Sequence, residues 1–422
     1  MLSRRDFLKS MGATAALGTV PGFANAAGNG ARGHVVVIGG GYGGATAAKY
    51  LRMWSQGSVE VTLIERNASF VSCPISNLVI GGLKQIEDIT VSYANLQSKW
   101  GVKLVTDEVT AIDADKRTVT TAKNGSIAYD RLVMSPGISF IPGAIEGLDG
   151  NEELVPHAWK AGPQTALLRK RLEDMPDGGV FAMHIPRAPF RCPPGPYERA
   201  CLVANYLRQS KPKSKVLVLD ANGEIQSKKG LFTKAFEGYG ELLEYVPNST
   251  LRAVDARTRT AELEFDTIEA DVLNVLPPMR AGEIAIQAGL PLINDRWVDV
   301  DWLTLEAKGV AGVHVLGDAL FPAPAMPKSG HMANQHGKLA AAAILNLLQG
   351  MAPNPTPVVM NTCYSFVDGK NVIHVASVHQ FDAASGKPMP VDGAGGLSPS
   401  ANELEAKAAL AWAKNIWADM LA

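Results

Sequence analysis

The sequence is short of net charge, of cysteine and of uninterrupted apolar runs, and each shortage excludes something. With 40 Lys and Arg against 41 Asp and Glu the formal charge is −1, and this balance argues against a nucleic-acid partner. No C-x-x-C-H occurs, and the chain therefore attaches no c-type haem of its own. No heptad pattern or solenoid repeat stands out, which removes coiled coils and repeat arrays. What remains is the composition of a globular α/β protein whose 41 Gly and 26 Pro signal many tight turns. At 422 residues the chain is long enough for several domains, each with its own core.

The N-terminus reads as an address. Ser3-Arg4-Arg5-Asp6-Phe7-Leu8-Lys9 is a twin-arginine pattern, followed by a mild apolar stretch from Met11 to Val20 and a small-residue site, Ala24-Asn25-Ala26. The stretch is too short to span a bilayer, so a cleaved export signal over 1–26 is expected. Twin-arginine export carries folded proteins, often with a cofactor already in place, and implies a bacterial periplasmic protein. In that oxidising compartment Cys73, Cys192, Cys201 and Cys363 can form disulfides, in pairings that the sequence does not choose between.

The strongest local signal is HVVVIGGGYGGATAA, from His34 to Ala48. A short buried strand, Val35 to Ile38, runs into Gly39-x-Gly41-x-x-Gly44 and an Ala-rich helix, the pattern of a dinucleotide-binding turn. Gly39 permits the turn, Gly41 lets backbone approach a pyrophosphate, and Gly44 lets the helix pack closely. The next strand, Val59 to Ile64, ends in Glu65, where a ribose hydroxyl needs an acceptor. From Val102 to Val133 the pattern is strand-like, with an Asn124-Gly125 hairpin signal, and reads as a meander inserted after the first βαβ unit.

A second α/β segment follows: a strand from Gly179 to Ile185, a helix from Tyr197 to Arg208, and a strand from Lys215 ending in Asp220. Its first turn carries prolines at 193, 194 and 196 where glycines belong. Proline removes N–H donors, so no nicotinamide cofactor is expected there. The strand from Gly312 to Leu316 leads to Gly317-Asp318, then a proline-rich turn and a helix from Ser329 to Leu348 whose N-terminus offers free N–H groups. His331 and His336 lack metal-spaced partners and read as structural. After the Pro353–Pro357 linker come strands from Asn361 to Phe366 and from Val372 to Val378. A last helix, Asn402 to Met420, carries Leu404, Trp412, Ile416, Trp417 and Met420 as a core or interface stripe.

The glycine turn with Glu65, the Gly317-Asp318 strand end and the degenerate second unit resemble flavoproteins of the glutathione-reductase fold. Within that fold, Phe70-Val71-Ser72-Cys73-Pro74-Ile75-Ser76-Asn77, the RCPPGPYER stretch from Arg191 and the NTCYS stretch from Asn361 resemble the flavoprotein subunit of flavocytochrome c, a sulfide dehydrogenase. The resemblance implies an α/β chain with two dinucleotide-binding-type domains plus a small C-terminal α+β domain. FAD binding is expected over 34–150 and 286–350, a degenerate second unit over 151–285 and an interface domain over 355–422. It implies FAD, tethered through a thioether to Cys73 and contacted by Gly39, Gly41, Gly44, Glu65, Gly317, Asp318 and Ser329. It also implies a redox-active Cys192–Cys363 disulfide beside the flavin, sulfide as reductant and a c-type cytochrome subunit as acceptor, with no NAD(P)H and no membrane association. The competing Cys192–Cys201 pairing would leave Cys363 free; otherwise Cys201 reads as a buried helix thiol. Exchange at a disulfide needs an anionic attacker, an accessible sulfur and a leaving thiolate, which suits sulfide. The alternatives are a sulfide:quinone oxidoreductase and a non-catalytic flavin-bearing assembly protein for a cytochrome.

Overall fold

In the computed structural model, which describes residues 32–422, the apolar run after Gly33 is strand β1 (Gly33–Ile38). Val35, Val36 and Val37 are fully buried, and a strand without a polar face belongs inside a parallel sheet covered on both sides. The chain then forms α1 (Tyr42–Trp54), β2 (Val59–Glu65), the short α2 (Ser76–Ile80), β3 (Lys103–Thr106) and β4 (Arg131–Met134). The second unit comprises α3 (Pro163–Asp174), β5 (Val180–Ile185), α4 (Gly195–Ser210), β6 (Lys215–Asp220), β7 (Leu243–Val246) and β8 (Val272–Val275). The chain returns to the first sheet with β9 (Val313–Val315) and α5 (Gly330–Leu348).

The first sheet runs β9-β4-β1-β2-β3, all parallel, with Val35 opposite Val61 and Arg131. The second runs β7-β6-β5-β8, also parallel. These two dinucleotide-binding-type α/β domains are joined by a smaller α+β unit: antiparallel β10 (Val358–Phe366), β11 (Val372–Asp382) and β12 (Lys387–Pro390), covered by α6 (Glu403–Leu421). The signal expected at 1–26 lies outside the described residues. Among the described residues no helix is long and apolar enough to cross a membrane.

Three sequence expectations shift. Lys103–Thr106 is an edge strand of the parallel sheet, and the meander proper is confined to Val109–Asp113, Thr118–Thr121 and Gly125–Ala128. A short alternating strand carries no signal for the direction of its partner. The C-terminal hairpin is longer at its open end, because its strands stay in register from Phe366 opposite Val372 out to Val358 opposite Gln380. On α6, Ile416 and Met420 are buried but Leu404 is 76% exposed. The seam is instead completed by Ala406, Ala409 and Ala413, small residues that let the helix approach closely.

Candidate functional site

The three glycines of the first turn divide the work unequally. Gly39 has φ +91°, and a Cβ there would stand 2.4 Å from the Ser135 carbonyl oxygen; at Gly44 it would stand 1.9 Å from that of Gly39. These two permit the turn and the close packing of α1. A Cβ at Gly41 would meet nothing within 4 Å, because this residue opens on a cavity. Glu65 at the end of β2 accepts from the Gly40 amide at 2.7 Å through Oε2, and from the Asn67 amide at 2.8 Å through Oε1.

Gly41, Glu65, Cys73, Gly317, Asp318, Ser329, Cys192 and Cys363 line one cavity of about 340 Å3; Gly39 and Gly44 do not line it. The residues present fit the expected FAD. Beside the open cradle at Gly41, Asp318 offers an orphaned acceptor: its Oδ1 is buried without a protein partner. Burial raises the Asp318 pKa, opposed by the positive charges of Arg191 and Lys328. Such an atom calls for a hydroxyl from a ligand. Ser329 caps α5 by accepting from the Met332 amide at 3.0 Å, and the helix N-terminus faces the same space.

All four cysteines are free thiols, so the expected Cys192–Cys363 bridge is not formed in this structure; nor is a Cys192–Cys201 bridge. The structure nevertheless brings Cys73, Cys192 and Cys363 to one cavity, whereas Cys201 is fully buried in α4 and lines no part of it. Cys192 takes up a left-handed conformation, φ +56°, just before α4, and its amide donates to the Lys328 carbonyl at 2.8 Å. Cys363 lies on β10, where Asn361 Nδ2 donates to its sulfur at 3.2 Å. The Cys73 sulfur accepts from the Ala161 amide at 3.4 Å.

Sequence reasoning missed the polar groups beneath these sulfurs. Asn77 on α2 donates to Glu198 at 2.8 Å, and the other Glu198 oxygen accepts from the Phe366 amide at 2.9 Å. Arg199 donates to Asn274 at 2.8 Å and to the Ala158 carbonyl at 2.6 Å. Burial raises the Glu198 pKa and lowers that of Arg199 to about 9. Lys228, left-handed at φ +53° and only 6% exposed, donates to the Cys363 carbonyl at 3.0 Å and to Ser365 Oγ at 2.7 Å. Adjacent charges in the first turn of a helix were the available signal for Glu198 and Arg199. Lys228 had none, since its partners lie 135 and 137 residues away.

The acid expected to survive in the second unit is occupied. Asp220 is fully buried and accepts from Tyr197 Oη at 2.8 Å and Tyr245 Oη at 2.9 Å, so side chains of the protein fill the place of a ribose. His331 Nδ1 accepts from the Thr362 amide at 3.0 Å and His336 Nδ1 from that of Gly317 at 3.3 Å, and no metal-holding cluster exists among the described residues.

Comparison with known proteins points one way on family and two ways on acceptor. Residues 165–277 match the family described as sulfide dehydrogenase (flavocytochrome c) flavoprotein chain, central, and 355–421 match flavocytochrome c sulphide dehydrogenase, flavin-binding. Residues 33–171 match pyridine nucleotide-disulphide oxidoreductase, and 1–21 the twin-arginine translocation signal, which supports export to the periplasm. A sulfide-quinone reductase of Aquifex aeolicus is 37% identical over 120 residues, 28% of this chain and 27% of that protein. A mitochondrial sulfide:quinone oxidoreductase of Dictyostelium discoideum is 25% identical, over 67% of this chain and 64% of its own length. The chain thus aligns with less than two thirds of either protein. A sulfide dehydrogenase (flavocytochrome c) flavoprotein chain of Chlorobaculum thiosulfatiphilum is 58% identical over 45 residues, 11% of this chain and 92% of that sequence. In fold, the Aquifex aeolicus sulfide:quinone oxidoreductase superposes with TM-score 0.75 at 20% identity, over 92% of this chain and 91% of that one.

Proposed function

We propose that the chain is one of the flavin-binding, sulfide-oxidising oxidoreductases that include flavocytochrome c sulfide dehydrogenases and sulfide:quinone oxidoreductases, and that it oxidises hydrosulfide at a Cys192–Cys363 couple. The observation that carries this reading is the convergence of both sulfurs, from the start of α4 and from β10, on the cavity that also holds Gly41 and Asp318. When bound there, FAD supplies a two-electron acceptor that can return electrons singly. Gly41 would admit its pyrophosphate to the backbone, and Asp318 Oδ1 would accept from one of its hydroxyls. Cys73, half-exposed on the same cavity, is the proposed thioether tether. Glu198 and Asn77 hold the first turn of α4, and hence Cys192, against α2.

For the acceptor we favour a c-type cytochrome, on the two matches to flavocytochrome c families at 165–277 and 355–421. A quinone is the second reading: the Dictyostelium discoideum relative, aligned over 301 residues, is named for quinone, as is the Aquifex aeolicus reductase. Anaerobic titration with sulfide tests the common part, with bleaching of the flavin band expected. Reoxidation by cytochrome c against reoxidation by a short-chain quinone then separates the acceptors. Acid precipitation tests the tether: yellow colour should follow the protein into the pellet, and Cys73→Ala should leave it in solution.

A further inference from the structure

Lys228 belongs to the second unit, yet its ammonium reaches across to β10 and binds the backbone of the residue that carries one of the working sulfurs. It is an ammonium almost removed from water with no carboxylate hydrogen-bonded to it; its partners are the Cys363 carbonyl and Ser365 Oγ. Burying an unpaired charge is costly, so such a group is retained where a negative charge must appear. On the other side of Cys363, Ser329 Oγ donates to Asn361 Oδ1 at 2.6 Å. The Asn361 amide NH2 donates to the Cys363 sulfur at 3.2 Å, and the amide oxygen accepts from the protonated Cys363 thiol at 3.5 Å. Cys363 is thus approached by a hydrogen-bond donor and a cation. Burial raises the pKa of both thiols; at Cys192, whose backbone amide is spent on Lys328, Cys363 and Glu198 raise it further against Arg191 and Lys228, while at Cys363 the Lys228 cation and the Asn361 hydrogen bond oppose the rise.

We propose that Lys228 is a positioning residue that supplies the counter-charge for Cys363 as the leaving sulfur of the couple. This rests on the function proposed above. Hydrosulfide forms a new S–S bond to Cys192 Sγ, the Cys192–Cys363 bond breaks, and its electron pair leaves on Cys363 Sγ as thiolate; the disulfide is the two-electron acceptor of this step. The ionisable groups around Cys363 and Lys228 are Cys192 and Glu198 on the α4 side, His331 on α5 and Glu405 on α6. Burial lowers the Lys228 pKa to about 8, while Cys363, Glu198, Cys192 and Glu405 favour its charged form. Burial raises the Glu198 pKa and lowers that of His331, and Lys228 is the cation that favours the Cys363 thiolate.

The test is peptide-resolved alkylation by iodoacetamide of the reduced, flavin-loaded protein across pH 6 to 10, without sulfide. Cys363 is expected to ionise at lower pH than Cys192. Lys228→Met should slow Cys363 alkylation at pH 8 by roughly tenfold, the effect of one pK unit, and Lys228→Arg should restore most of it. An unchanged rate in Lys228→Met, or failure of Lys228→Arg to restore it, overturns the assignment. So does Cys192 ionising before Cys363 in the unmutated protein, a measurement that needs no variant. Flavin bleaching by sulfide is read separately, so loss of the proposed function and loss of this inference are distinguishable.

Discussion

The two parallel sheets are built on one plan and end in opposite ways. At the end of β1 the chain exposes bare backbone at Gly41; at the end of β5 it runs through prolines into Cys192. At the end of β2 Glu65 lines an open cavity, whereas at the end of β6 the matching Asp220 is sealed under Tyr197 and Tyr245. A nucleotide needs donors and space, and the first half keeps both. The second half fills the space with its own side chains and presents a thiol to the cavity of the first. The second half thus forms a wall of that cavity and places the Cys192 thiol on it.

The largest test of this contrast is steric. Gly44→Ala, with its Cβ 1.9 Å from the Gly39 carbonyl oxygen, should cut bound flavin by about tenfold or more and lower the unfolding temperature, an overpacking cost of ~1–3 kcal/mol. Gly41→Ala should leave the unfolding temperature of the flavin-free chain unchanged and weaken flavin binding, read by absorbance per chain. Equal damage from both would break the distinction between a packing glycine and a ligand glycine.

On turnover, the largest effect is expected at the sulfurs. Cys192→Ser and Cys363→Ser should each retain flavin and lose sulfide-dependent reduction by about a hundredfold or more, while Cys201→Ala stays close to the unmutated rate. Retained turnover in Cys363→Ser would leave the second half without its partner.

Acid should not separate the halves. His184 on β5 is held neutral by burial, its pKa lowered to about 4, and burial likewise lowers that of His314 on β9. Below pH 6.5 the unfolded chain binds protons that the folded chain refuses, so stability falls as pH falls. The loss is about 1.4 kcal/mol per unit for each histidine. Thermal melts at pH 5 and 7, followed by flavin fluorescence and circular dichroism together, should show one shifted transition; flavin release well before unfolding would show that the first half yields first.

The smallest effect is expected at the sealed acid. Tyr197→Phe removes one of the two tyrosine donors to Asp220, leaving Tyr245 in place, and should cost about 0.5–1.5 kcal/mol in denaturant unfolding without making NADH a reductant. Rapid flavin bleaching by NADH in that variant would mean that the tyrosine alone had closed a working nucleotide site.

Residues close in sequence were legible and distant ones were not. The glycine turn, the proline turn and the Ser329 cap announce themselves because backbone geometry and capping act over a few residues. Direction of strand pairing at Lys103–Thr106 was not legible, nor was the small-residue seam of α6, since both depend on a partner elsewhere in the chain. The resemblance singled out Cys192 and Cys363 as chemistry-bearing, but local signals carried nothing of Lys228, Asn77 or Asn361, whose roles exist only through contacts.

By itself the sequence determined the alternation of strands and helices, the open first turn, the blocked second turn and the cysteine positions, because each follows from local sterics and donor count. Only the tertiary structure decided that a loop of the second unit and a strand of the C-terminal unit share one cavity, and that a lysine from a third place lies under the Cys363 backbone. The physical reason is burial: an ammonium, a carboxylate and thiols acquire their protonation and their partners from what surrounds them, and those surroundings come from segments more than a hundred residues apart.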